Sequence, residues 1–226
     1  ARDYYRPVSL HRMTAGLDAA GRLTAWRHLV VAPSIVAQNF PDAPADEEPD
    51  AVDGAIGWPY AVPNVQVAYA RVDTPVPIGW WRSVYNTQTA FANECFLDEI
   101  AAAAGVDPLE LRRSLLPAGG RHRAVLERAA EAAGWGSPAP AGRARGLAVH
   151  ESFGSICAQV AEISVARGEV RAHRFVCALD CGVAVHPDQI AAQVEGCVAL
   201  ALSAALHGEI TLENGRVRQR NYDDCP

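Results

Sequence analysis

The hydrophobic period changes sharply at Asp180-Cys181-Gly182, and that change limits what the chain can become. Upstream, Ile163 and Val165 alternate with Glu162 and Ser164, and Val170, Ala172, Val176 and Ala178 alternate with Arg171, His173 and Cys177. Apolar residues at every second position describe strands with one covered face. Arg167-Gly168-Glu169 between the two runs suits a hairpin turn. Downstream, Ile190, Val194, Cys197, Val198, Ala201, Leu202 and Ala205 recur at steps of three and four, which is one face of a helix. Pro187 suits the first helical position and Gly208 the stop. Strands that feed a long helix through a tight turn describe an α+β fold with mixed or antiparallel sheets and packed helices. Within the helix, Gln193-Val194-Glu195-Gly196 stands out. An interior glycine costs about 1 kcal/mol relative to alanine, and it marks either helix–helix packing or close approach by a backbone or ligand.

The remainder reads in order. Val8 to Ala32 predicts two strands joined by a turn at Asp18–Gly21. Pro41 to Pro59 crowds six acids among prolines, which predicts an exposed acidic loop. Val62 to Asp73 returns to strand character, with Val65, Val67 and Tyr69 on one face, and Pro75 and Pro77 end it. A helix is predicted from Thr87 to Ala104, with Phe91, Cys95, Phe96, Ile100 and Ala103 inward, Glu94 solvated or capping, and Gly105 at the end. Asp107-Pro108-Leu109-Glu110 is a helix start, with a cap, a proline at the first position and an acid three residues after the cap. His122 to Ala133 is another helix, closed by Gly134. Ser137 to Gly142 reads as a linker, dividing an N-terminal lobe, 1–136, from a C-terminal lobe, 143–226. Glu213-Asn214-Gly215 predicts a final hairpin.

A net charge of −6 argues against nucleic acid as a partner. No apolar run approaches the roughly 20 residues of a membrane span; Val194 to Leu206 is shorter and is broken by Ser203. No signal peptide is visible, and the chain begins at Ala1 without Met, as an excised piece would, so export and localisation stay open. The six cysteines form no C-x-x-C pair, and most lie on apolar faces, where buried structural thiols are expected. No G-x-S-x-G, H-E-x-x-H, phosphate loop or dinucleotide fingerprint is present. His150-Glu151-Ser152 invites a hydrolase reading, but neighbours on a strand point to opposite faces.

The runs A-Q-V-A-E-I-S-V, C-A-L-D-C-G, H-P-D and Q-V-E-G, with a second ordered patch from Gly79 to Leu116, resemble the molybdenum-binding large subunit of the xanthine dehydrogenase/aldehyde oxidase family. The resemblance is closest to isoquinoline 1-oxidoreductase-like beta subunits. It implies a molybdopterin-binding fold and oxidative hydroxylation of an N-heterocyclic aromatic or an aldehyde with water-derived oxygen. It also implies a molybdopterin cofactor in the cytosine dinucleotide form, and electron transfer to a small iron–sulfur partner carrying 2Fe-2S clusters. Trp81, Arg82 and Ser83 fall on the family's cofactor loop, although this chain has Ser83-Val84-Tyr85 where xanthine dehydrogenases are glycine-rich. Gln193 matches a glutamine that hydrogen-bonds the cofactor, with Gly196 one turn later. Glu94 becomes a candidate support for the loop. The family's catalytic glutamate is expected beyond Pro226 and its early cofactor segments before Ala1. The chain then holds no catalytic residue or metal ligand and is inactive and cofactor-free alone. The alternative is a non-catalytic assembly module whose Gln193 helix packs on another subunit.

Overall fold

The computed structural model describes residues 4–42 and 49–221. Strands β1 (Leu10–Leu17) and β2 (Leu23–Ala32) form an antiparallel pair across the predicted turn. Asp18 closes that turn by accepting from the Ala20 and Arg22 amides, both at 2.9 Å. A short helix α1 (Ile35–Asn39) follows, with the Ser34 hydroxyl accepting from Ala37 N at 2.7 Å. Strand β3 (Asn64–Arg71) lies parallel to β2, so the connection between them crosses over rather than turning back.

The acidic loop is only partly exposed. Its centre, 43–48, lies outside the described residues, but Ala51 and Ala55 are buried against Val30, Ile35, Ile78 and Tyr85. The small apolar side chains among the acids, which a charge count passes over, are what dock this segment.

Helix α2 (Asn86–Ala104) ends at Gly105 with φ 67, as predicted. Its inward face is only partly the predicted one: Ile100 is buried and Phe96 packs against the core, but Cys95 and Ala103 are exposed. Phe91 is 72% exposed, while Thr89, Asn93, Glu94, Leu97, Ile100 and Ala101 are buried. Helix α3 (Pro108–Leu115) starts as expected, the Asp107 carboxylate accepting from Leu109 N at 2.8 Å and Glu110 N at 3.2 Å. Helix α4 (Arg121–Ala133) closes at Gly134 with φ 68.

Beyond Ser137–Gly142, β4 (Ala144–Ser152), β5 (Ser155–Ala166) and β6 (Glu169–Asp180) form an antiparallel meander. Leu126, Ala129 and Ala130 of α4 share one core with Leu147 and Val149 of β4 and Ile156 of β5. That core continues through Leu97 and Ile100 of α2 to Trp26 of β2. Helix α5 (Pro187–Leu206) follows, then a small hairpin, β7 (Leu212–Glu213) and β8 (Arg216–Val217), turned by Asn214 and Gly215, both at positive φ.

Two expectations change here. The described cysteines are free thiols, but Cys95 is exposed and Cys157, Cys177, Cys181 and Cys197 are only half-covered. Helix α5 is long and apolar enough, by length and composition, to cross a membrane, because the helix extends back to Pro187 with only Asp188 and Glu195 charged. None of its residues is buried. Ile190, Val194, Cys197, Val198 and Leu202 are half-covered, so the predicted face does lean on the rest of the chain, but loosely.

Candidate functional site

The Gly79–Tyr85 loop is held at both ends. At its start, Gly79 N donates to Tyr5 O at 3.0 Å, and a Cβ on Gly79 would fall 2.7 Å from the Tyr4 Cβ. Gln38 of α1 fixes the preceding residue, its Oε1 accepting from Ile78 N at 2.6 Å. At its end, Tyr85 is buried, its hydroxyl donating to Pro33 O at 3.0 Å and accepting from Ile35 N at 3.1 Å. Between these anchors the backbone turns left-handed twice, at Ser83 (φ 71) and Val84 (φ 53). A non-glycine residue there costs on the order of 1–2 kcal/mol. That geometry explains why glycine-rich sequence suits such a loop, and this chain adopts it with Ser and Val.

The strained loop runs directly into α2, whose first turn is tied down from behind. Asn86 Oδ1 accepts from His150 Nε2 at 2.7 Å, which places the imidazole proton on Nε2. Burial, with His122 nearby, lowers the His150 pKa and keeps the ring neutral. Gly54 packs into the same point. A Cβ there would stand 2.7 Å from Thr89 Oγ1 and 2.8 Å from both Asn86 Oδ1 and His150 Cε1, and its φ of 75 already demands glycine. Thr89 Oγ1 donates to Asp53 O at 2.6 Å, and Asn93 Nδ2 donates to Gly54 O at 2.7 Å.

Glu94 lies farther along α2 and serves the core. Its carboxylate accepts from Tyr60 Oη at 2.8 Å, Val149 N at 2.9 Å and Arg112 Nε at 3.0 Å. Arg112 is fully enclosed and also reaches Asp98 at 2.7 Å and Glu94 O at 2.9 Å. Burial pushes the Glu94 carboxyl up from its ordinary range, with Arg112 opposing it most strongly. Burial by itself would lower the Arg112 pKa, but Glu94, Tyr60 and Asp98 outweigh it, so the guanidinium stays charged. The solvated or capping role expected for Glu94 is therefore corrected. The acid fastens α2, α3, β4 and the Tyr60 segment together.

The two halves of the predicted site meet at one contact. Arg82 Nη1 donates to Cys197 Sγ at 3.3 Å, joining loop and α5 across 115 residues. Gln193 lies one turn before Cys197 and is exposed, as are Trp81 and Arg82, while Ser83 is half-covered. A Cβ added to Gly196 would meet nothing within 4 Å among the described residues, so open space adjoins the helix there. Below α5, burial raises the pKa of Cys157, and pushes the Cys177 thiol up to about 11. Among the described residues no three His, Cys, Asp or Glu side chains are grouped to hold a metal.

One residue that the sequence reading passed over belongs here. Gln88, in the first turn of α2, is 7% exposed, and among the described residues neither its amide nitrogen nor its amide oxygen has a hydrogen-bond partner. Each unpaired buried group costs about 1–3 kcal/mol. A carboxamide stranded at the foot of a strained loop fits a site for a ligand that both donates and accepts. The one hint in the sequence is a polar residue two positions after Asn86, on what should be an inward turn. His150 was legible only as a failed hydrolase motif, because its partner Asn86 lies 64 residues away.

The molybdopterin cofactor-binding domain family matches residues 3–116 and 88–226. The beta subunit of isoquinoline 1-oxidoreductase from Brevundimonas diminuta is 30% identical over the whole chain, which covers 30% of that protein. A membrane-bound aldehyde dehydrogenase (pyrroloquinoline-quinone) from Gluconacetobacter polyoxogenes is 30% identical over 98% of the chain, or 32% of the relative. The chain thus spans about a third of the length of these relatives. In fold it matches quinoline 2-oxidoreductase from Pseudomonas putida 86 with a TM-score of 0.73, covering 96% of this chain and 53% of that one, at 13% identity.

Proposed function

This chain belongs to the family of molybdopterin cofactor-binding domains, and from that premise we propose that it forms part of a molybdenum hydroxylase large subunit, gripping the cofactor from two sides. One arm is the loop with Trp81, Arg82 and Ser83, and the other is α5 with Gln193 and Gly196. The arms come from the two proposed lobes, 1–136 and 143–226. The observation that carries this reading is the Arg82–Cys197 contact, which brings together segments chosen separately from the sequence.

The residues fit such a group. Arg82 is exposed, and among the described residues its side chain bonds only to a thiol, so its other donors are free for an anionic ligand. The Gln193 amide both donates and accepts, and Gly196 leaves room beside it. When bound, the cofactor supplies the two-electron oxidation that places a water-derived oxygen on an electron-poor carbon. The chain's own part is to bind and orient: His150 and Gly54 hold the foot of the loop, and Tyr85 fixes its exit. We propose the cytosine dinucleotide form, an N-heterocyclic aromatic or aldehyde substrate, and an iron–sulfur partner that accepts the electrons. The relatives named for isoquinoline and aldehyde support that substrate range. The pyrroloquinoline quinone in one relative's name is set against two molybdopterin family matches, which favour the pterin. With both arms exposed, the chain by itself is expected to retain no stoichiometric molybdenum.

The test is the full-length subunit expressed with its partners. Molybdenum, pterin and cytidine monophosphate released on hydrolysis are measured, together with oxygen-18 incorporation from labelled water into quinoline or benzaldehyde. Near-stoichiometric cofactor and labelled product are expected, and protein without pterin overturns the reading. A second reading, an assembly module, is favoured by the absence of any buried residue in α5. Under it, Arg82→Ala leaves cofactor content unchanged and weakens subunit association.

A further inference from the structure

We infer that Gln88 is a further cofactor-binding residue, taking a heterocyclic edge that presents a donor and an acceptor side by side, as the lactam of a pterin does. The inference rests on the molybdopterin reading above. Among the described residues, Gln88 is the only one with both ends of its side-chain amide buried and unpartnered. Asn93, on the same helix, lacks a partner only at its oxygen, because its nitrogen donates to Gly54 O at 2.7 Å. Nothing in the described fold offsets the cost of burying the Gln88 amide, and an apolar side chain of similar size would sit there more comfortably.

Its position says what it is for. Helix α2 is 19 residues long and begins at Asn86, immediately after the left-handed pair Ser83 and Val84. The Gln88 side chain therefore stands at the foot of the loop that carries Trp81 and Arg82. The amide's chemistry narrows the ligand. A phosphate has acceptor oxygens only, so it would satisfy the Gln88 nitrogen and leave the Gln88 oxygen stranded. A lactam pairs with a carboxamide through two antiparallel hydrogen bonds, its N–H donating to Gln88 Oε1 and its carbonyl accepting from Gln88 Nε2. Arg82, with donors alone, suits the anionic part instead. The two residues thus divide the cofactor by chemistry, Arg82 taking the phosphate-bearing portion and Gln88 the ring. Both Gln88 amide atoms are closed to solvent in this conformation, so engagement requires a change of rotamer.

The experiment uses the full-length subunit with its partners. Gln88→Met keeps shape and removes both hydrogen-bonding ends; Gln88→Glu keeps only the acceptor. Pterin per subunit is read by fluorescence after release, before and after extended dialysis, and the melting temperature of the pterin-free subunit is read separately. Gln88→Met is expected to raise that melting temperature and to lower pterin retention roughly tenfold or more. Gln88→Glu is expected to lose pterin without the gain in melting temperature. Retention equal to wild type in Gln88→Met overturns the inference. A melting temperature several degrees lower in pterin-free Gln88→Met also overturns it, because the amide then has a structural partner. Wild-type subunit without pterin overturns the cofactor reading and this inference with it.

Discussion

Helices α2 and α5 are nearly equal in length, at 19 and 20 residues, and they invert the usual arrangement. Helix α2 buries Asn86, Gln88, Thr89, Asn93 and Glu94 and leaves Phe91 in solvent. Helix α5 is mostly apolar and buries nothing. The polar side chains of α2 can be enclosed because nearly every one meets a donor or acceptor from another segment. The apolar side chains of α5 have no comparable set of neighbours. A hydrophobic face states that a helix will be covered, and only partner atoms decide where the cover comes from.

The comparison breaks most readily at Arg112. If α2 is held by its enclosed charges, Arg112→Met in the 226-residue chain removes the one cation that, among the described residues, pairs with buried Glu94. Loss of one member of a buried pair costs about 3–5 kcal/mol, which urea denaturation resolves. A loss below about 1 kcal/mol would show that Glu94 simply takes up a proton. The same enclosure has a pH signature at His28, which is fully buried and 2.8 Å from His11. Burial, reinforced by His11, lowers the His28 pKa to about 4 from its ordinary 6.5. The folded state therefore binds its proton later than the unfolded chain does. Stability is unaffected by this group above pH 6.5, and below it falls by roughly 1.4 kcal/mol per pH unit until about pH 4. Denaturation midpoints for His28→Leu, compared with wild type from pH 4 to pH 7, are expected to show a shallower slope.

Helix α5 is expected to respond in the opposite way. In the full-length enzyme, Gln193→Ala should cut turnover about a hundredfold, as loss of a group that positions a reacting centre commonly does. In the isolated chain, where Gln193 is exposed, the same change should alter stability by less than about 0.5 kcal/mol. Val194→Ala in the isolated chain is also expected to cost little, under about 1 kcal/mol, because Val194 is only half-covered. If that residue already costs the 2 kcal/mol or more typical of a core position, α5 is packed more tightly than its exposure indicates, and the contrast with α2 fails.

How legible the molecule was in its sequence follows the same division. The start of α3 was legible because Asp107 caps amides two and three residues ahead and Pro108 stands at the first helical position, all within one local stretch. The ends of α2 and α4 were legible because Gly105 and Gly134 adopt left-handed conformations set by the local chain. The burial of Glu94 was not, since its partners are Tyr60, Arg112 and Val149 on three other segments. Nor were α1, whose five residues carry too little period to detect, and β4, where Leu147 and Val149 alone make too short an alternation. At the site, resemblance pointed to Arg82 and Gln193, and their proximity emerged only through Cys197. Gln88 lay outside any pattern because an unmet hydrogen bond has no signature in a sequence.

The parallel pairing of β3 with β2 bears on how the molecule assembles. The β4–β6 meander is joined by tight turns at Phe153-Gly154 and Arg167-Gly168, so its ladders can zip from neighbouring residues. Strand β3 reaches β2 only after the chain from 33 to 63 has closed into a loop, and that closure must come before any contact rewards it. Amides of the meander should therefore gain protection from exchange early in refolding, with those of β3 following. A nascent chain passes through a period in which β2 presents an unpaired edge, the kind of template on which strands of different molecules join.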